Sequence, residues 1–181
     1  MPVLSEQQLV SCSSSYGNAG CNGGLYSSAW DYLTVNPQQN GSSYPYTSGT
    51  TGVDGTCNAN PSLGHAKVSS YSVVGQTNDD IMAAINVKPV SVAVCAQLPA
   101  FQLYKSGVIS KNCGTLLDHA VVAVGYGFDV ASGLNYFLVR NSWGSSWGDN
   151  GYLKIAQSPT GTAPGICGIN KDVQTVNAYS L

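Results

Sequence analysis

Charge is the scarcest ingredient of this 181-residue sequence. Asp, Glu, Lys and Arg make up 9% of it, with a single Arg (Arg140) and a single Glu (Glu6). The net charge of −2 supplies no basic field for a phosphate backbone, so nucleic acid is not expected as a partner. Long apolar runs are missing as well. None reaches the roughly 18 residues of a membrane-crossing helix, so no membrane partner is expected either. There is no C-x-x-C pair and there are only two histidines, His65 and His119. That leaves a zinc site little to be built from, and no metal or cofactor is expected. Internal repeats and low-complexity tracts are absent. Met1-Pro2-Val3 leads straight into a helix signal, so no signal peptide is expected at this start, and any targeting segment would lie outside the 181 residues.

The remaining composition is that of a folded protein. Apolar residues reach 43%, enough for the core of one domain or two small ones and too many for a disordered chain. With so few charges, the surface has to be covered by Ser, Thr, Asn, Gln, Gly and Tyr. Six cysteines stand at 12, 21, 57, 95, 113 and 167. An even count in a weakly charged chain points to disulfides and an oxidising compartment. Six buried thiols in a reducing compartment are the alternative. Asn40-Gly41-Ser42 is an N-glycosylation acceptor sequence, which suits a secretory route.

Ser5-Glu6-Gln7-Gln8 reads as a capping box that opens a short helix to about Ser11. Leu25, Ala29 and Leu33 recur at helical spacing, so a second helix spans roughly 25–35 and stops at Asn36-Pro37. Residues 36–66 lack periodicity and are rich in Gly, Ser, Asn and Pro. They form a long loop region that needs outside support, such as a disulfide through Cys57. Thr77 with Asp79 and Asp80 starts another helix, which ends before Pro89. From residue 90 the pattern turns to strands, at 90–94, 120–127, 136–140 and 151–155. Helices first and strands later argue for an α+β protein in two lobes, residues 1–70 and 71–181.

Two polar residues stand at strand ends in this pattern. His119 opens Leu117-Asp118-His119-Ala120-Val121-Val122, and Asn141 closes Tyr136-Phe137-Leu138-Val139-Arg140. Taken singly, each is better read as a structural histidine and a turn residue. As a pair they suit nucleophilic catalysis. An amide oxygen can hold an imidazole N–H and fix its tautomer, and an adjacent tryptophan keeps water off that bond. The third part of such a site is a thiolate nucleophile.

Six segments then carry a family resemblance. They are Ser5-Glu6-Gln7-Gln8-Leu9-Val10-Ser11-Cys12, Gly20-Cys21-Asn22-Gly23-Gly24, Tyr44-Pro45-Tyr46, Pro89-Val90-Ser91-Val92, Asp118-His119-Ala120-Val121, and the run from Asn141-Ser142-Trp143-Gly144 through Trp147-Gly148 to Gly151-Tyr152. In order and spacing the chain resembles papain-like cysteine peptidases of the papain and cathepsin L type, from Ser5 to about Gly168. The resemblance implies a papain-like two-lobed fold, with a partial helical left lobe and an antiparallel, β-barrel-like right lobe. It makes His119 the catalytic imidazole and Asn141 its orienter, with Trp143 and Trp147 in support. It puts Gly23 and Gly24 at the rim that pairs with an extended peptide. Leu25, Tyr26, Ala93, Asp118, Ala120 and Asp172 fall on substrate-binding positions. An acid at Asp172 would let the main specificity pocket accept a basic side chain beside the usual apolar one. Cys12–Cys57 and Cys113–Cys167 match two family disulfides, Cys21 matches half of a third, and Cys95 matches none and is expected as a buried free thiol.

The family's nucleophile motif, Cys-Gly-Ser-Cys-Trp, and its oxyanion-hole Gln are not in these 181 residues. The nucleophile precedes the catalytic His by about 130–150 residues in this family, whereas 118 residues precede His119. The expectation is therefore a chain that lacks its nucleophile and is inactive alone, with an upstream light chain or propeptide as a partner through Cys21. The implied substrate is protein or peptide, and the implied location lysosomal, vacuolar or extracellular. Two alternatives stay open at this stage: a non-catalytic pseudo-peptidase acting by binding, and a silicatein-like relative with a Ser nucleophile.

Overall fold

A computed structural model describes residues 3–181. Met1 and Pro2, on which the expectation of no signal peptide was read, lie outside the described residues. The chain divides into two compact units: one runs to Tyr71 and also holds Val176–Leu181, and the other is Ser72–Thr175.

The first unit is built on helices α1 (Glu6–Cys12), α2 (Tyr26–Val35) and the short α3 (Ser48–Thr51), with strand β1 (Gln38–Gln39) and all but the last two residues of β2 (Gly64–Val73). Ser5 caps α1 through its hydroxyl, which accepts the Gln8 N–H at 3.0 Å. The reciprocal arm of the expected capping box does not form. Gln8 is fully buried, and its amide instead donates to Tyr32 Oη and Pro37 O while accepting the Gln39 N–H. Gln7 works the same way on the other side. It donates to Ser48 Oγ and Asp54 O and accepts the N–H groups of Thr47 and Ser48. Two buried glutamines and the Cys12–Cys57 disulfide thus hold the aperiodic loop that has no apolar pattern of its own. Trp30, Tyr32, Leu33 and Val68 form this unit's small core, and Val176 packs against it.

The second unit starts with α4 (Asn78–Val87), whose N-terminus is a complete capping box between Thr77 and Asp80. It continues with β3 (Val90–Val94), α5 (Pro99–Gln102), β4 (Val108–Ile109), β5 (His119–Asp129), β6 (Leu134–Arg140), β7 (Tyr152–Ala156) and the first residues of β8 (Val173–Ser180). The strands pair in the order β8–β3–β5–β6–β7–β4, antiparallel except for β4 with β7. This sheet is open and does not close into a barrel. Its alternating residues Val90, Val92, Val94, Phe137, Val139, Leu153 and Ile155 are fully or almost fully buried, and Ile81 of α4 covers them. The Cys113–Cys167 disulfide closes the unit's long loops.

Candidate active site

Sheet register brings His119 and Asn141 to the same end of the second unit. β3 pairs with β5 so that Val94 faces His119, and β5 pairs with β6 so that Val122 faces Arg140. The chain leaves β6 at Asn141, whose backbone N–H is taken by Gly151 O at 2.9 Å. His119 Nε2 lies 2.8 Å from Asn141 Oδ1, and the Ser142 backbone N–H lies 2.8 Å from the same oxygen. A backbone N–H can only donate, so the Asn141 atom it meets is the carbonyl oxygen. A ring nitrogen facing that oxygen must then donate as well. His119 therefore carries a hydrogen on Nε2, and in the neutral ring Nδ1 is the nitrogen with the free lone pair. Turning the oxygen toward the imidazole leaves Asn141 Nδ2 buried and without a hydrogen-bond partner. Such an orphaned donor costs about 1–3 kcal/mol, which is common where geometry serves a function.

Aromatic rings pack against the imidazole. Trp143 lies over His119 with centroids 5.1 Å apart, and Phe101 meets the imidazole edge-on at 6.0 Å. Phe101 is fully buried and stacks on Trp147 at 5.4 Å, while Trp143 and Trp147 meet edge to face. The Trp147 indole N–H donates to Gln102 O, which ties the cluster to α5. Phe101 was not singled out in the sequence. Its one local signal is a large aromatic just after Pro99 opens a helical turn.

Asp118 is a positioning group. Its carboxylate accepts the N–H groups of Ala96 at 2.7 Å and Gln97 at 3.2 Å, holding the chain where it leaves β3. Ala96, Gln97, Gln102, Asp118, His119 and Trp143 line a shallow hollow of about 200 Å³ beside the imidazole. A larger open hollow, about 350 Å³, lies in the first unit among Gln7, Tyr44, Thr47 and Thr56, and no imidazole or thiol lines it.

The other expected site residues fall in two groups. Ala93 and Ala120 are register partners on β3 and β5, and the Ala93 N–H donates to Asp172 O, so these three share neighbouring rungs of the sheet. Gly23, Gly24, Leu25 and Tyr26 lie together in the first unit. Gly23 has φ +100°, a conformation that favours glycine, and a side chain on Gly24 would collide with Asn18. Leu25 stands exposed, and its N–H is held by Asn18 Oδ1.

Two cysteines are free. Cys95 is buried, with its N–H on Cys167 O and its sulfur near the Gln97 amide. Cys21 is exposed, and Asp54 accepts its backbone N–H at 2.6 Å. The hydrogen bond to Asp54 holds the Cys21 thiol above its ordinary value, and the same contacts, the Cys21 backbone N–H first, hold Asp54 below the usual carboxylate range. Such a thiol is a weak nucleophile. Among the described residues, neither free cysteine is hydrogen-bonded to His119, and no group of His, Cys, Asp or Glu is arranged to hold a metal ion.

Comparison with known proteins agrees with this geometry. The family described as papain family cysteine protease matches residues 1–177. The chain is 44% identical over 170 residues to cysteine proteinase RD21A of Arabidopsis thaliana, covering 92% of this chain and 35% of that protein. It is 45% identical over 174 residues to oryzain beta chain of Oryza sativa subsp. japonica, covering 93% of this chain and 35% of the relative. The chain thus spans about a third of the length of these relatives. Among solved structures, the bromelain protease from Ananas comosus in complex with an inhibitor superposes with a TM-score of 0.86 at 37% identity. That match covers 98% of this chain and 79% of the other.

Proposed function

The chain belongs to the papain family of cysteine proteases, and we propose that it works within an endopeptidase that cuts extended polypeptide by thiolate attack. One observation carries this reading: His119 and the Ser142 N–H share Asn141 Oδ1, which makes Nε2 the donor to Asn141 and leaves Nδ1 to exchange a proton. In the neutral ring, Nδ1 takes the proton of a thiol, and the imidazolium that forms keeps its charge-assisted bond to Asn141. The thiolate adds to the peptide carbonyl, and His119 gives its proton to the departing amine, leaving an acyl-thioester. Water, deprotonated by His119, releases the acid and restores the thiol. Trp143, with Trp147 behind it, shields the His–Asn bond from solvent.

The thiol of this step comes from outside the 181 residues, as does the oxyanion-hole amide. Support comes from the two free cysteines, of which one is buried and the other has its thiol raised above its ordinary value by Asp54. Residues 1–181 by themselves are then without turnover. Exposed Cys21 is the attachment point for an upstream light chain or propeptide. Gly23 and Gly24 offer backbone to an extended substrate, since neither carries a side chain to block approach. Leu25 and Tyr26 in the first unit and Ala93 and Ala120 in the second each bind substrate, and Asp172 lets the second unit's share of the site take basic as well as apolar side chains. The two disulfides suit a lysosomal, vacuolar or extracellular location.

The test is labelling of the native protein by an epoxide thiol reagent during hydrolysis of a fluorogenic peptide. Stoichiometric labelling with loss of hydrolysis is expected. His119→Ala should lower the rate by roughly 10²- to 10⁴-fold. Native protein that neither labels nor hydrolyses would be a pseudo-peptidase. Intact mass before and after reduction tests the tether: a drop of several kDa identifies a peptide held through Cys21.

A further inference from the structure

Asn40-Gly41-Ser42 plays no part in the peptidase chemistry. Of the 14 asparagines, only Asn40 and Asn60 have Ser or Thr two residues on, and Pro61 between Asn60 and Ser62 disqualifies the second. Asn40 sits in a turn directly after β1, bridged to Leu4 and half-buried, while Ser42 and Ser43 are exposed. Its side-chain oxygen is fully engaged: Asn40 Oδ1 accepts the Ser42 hydroxyl at 2.8 Å and the Ser43 N–H at 2.8 Å. The turn is closed by the Tyr44 N–H on Asn40 O at 3.0 Å. Held by its oxygen, the amide turns its nitrogen outward, into an exposed hydrogen bond with His65 Nε2 at 3.0 Å.

We propose that Asn40 carries an N-linked glycan. In the transfer, Asn40 Nδ2 forms a bond to the anomeric carbon of an oligosaccharide carried on a lipid diphosphate. The bond from that carbon to the phosphate oxygen breaks, the lipid diphosphate leaves with the electron pair, and one amide proton goes to base. The product amide keeps one hydrogen, enough for the single bond to His65, and both bonds to Oδ1 are untouched. The folded turn therefore tolerates the modification with both of its bonds to Oδ1 retained. Cys12–Cys57 and Cys113–Cys167 independently point to the oxidising lumen where such donors are found. The glycan is independent of any catalytic role.

The experiment is intact-mass and peptide mapping of the full-length protein secreted from a eukaryotic host, before and after peptide N-glycosidase. The expected result is a ladder of glycoforms that collapses to one mass, with Asn40 recovered as aspartate and Asn60 unmodified. Asn40→Gln and Ser42→Ala should each abolish the ladder, and Ser42→Thr should keep it. Should Asn40→Gln fail to be secreted, Ser42→Ala reads the same loss with Asn40 and its bond to His65 in place. A secreted protein whose Asn40 peptide is wholly unmodified, or whose glycan maps to another asparagine, overturns the proposal.

Discussion

The tautomer of His119 is decided by a backbone group. The Ser142 N–H fixes which end of the Asn141 amide faces the ring, and that end fixes where the ring hydrogen sits. Asn141→Ala in the active protein removes a hydrogen bond to a charged imidazolium, worth about 1.5–3 kcal/mol. The expected outcome is a kcat lower by about 10- to 100-fold with little change in KM, read by steady-state kinetics on a fluorogenic peptide. An unchanged kcat would detach Asn141 from the chemistry. His119, Asn141, Trp143 and Trp147 were legible because they lie in two short motifs. The role of the Ser142 N–H was not, because any residue but proline supplies that group. Phe101 was hidden for another reason: it lies in a four-residue helix, too short to show a period.

Elements announced by end signals were the easiest to read. Thr77 and Asp80 form the expected helix start, and each side chain bonds to the other's backbone N–H. Thr77→Ala should cost about 1 kcal/mol, measured as a lower Tm. β2 and β8 were not read as strands. Only Val68 in β2 and Val173 in β8 are buried, so neither strand shows an alternating pattern. The β5–β6 hairpin carries a pH-sensitive turn. Asp129 accepts from the Ser132 hydroxyl and N–H and pairs with Lys154 at 3.2 Å, and these contacts hold it below the usual carboxylate range, Ser132 first. A depressed folded value means that its stabilisation is present above about pH 4, the unfolded carboxylate value, and is lost as pH falls through the folded value. Asp129→Asn should flatten that part of the acid limb when Tm is followed from neutral to acid pH. An unaltered acid limb would mean that other carboxylates control it.

For the whole molecule, composition foretold cross-links before any fold was in view. The first unit, with a core of only five buried residues and long polar loops, leans on its disulfide and buried amides, while the second adds its disulfide to a much larger apolar core. The two bridges close loops of 45 and 54 residues, in one unit each. Chain-entropy arguments put each at about 4 kcal/mol. Reduction should therefore lower Tm sharply, and single Cys-pair replacements should weaken the unit that holds the bridge. Equal melting with and without reductant would show that the bridges add nothing. The α+β class was legible from where helical and strand patterns fall. The final strand's return was not, because exposed residues leave no mark of their partner. Val176 packs on the core of the first unit, Asn177 bonds to Ser69 and Ser70, and the Leu181 N–H reaches His65 O. On the ribosome, that return reverses the usual order. The unit made first gains its contacts with residues 176–181 only after the other unit has been made.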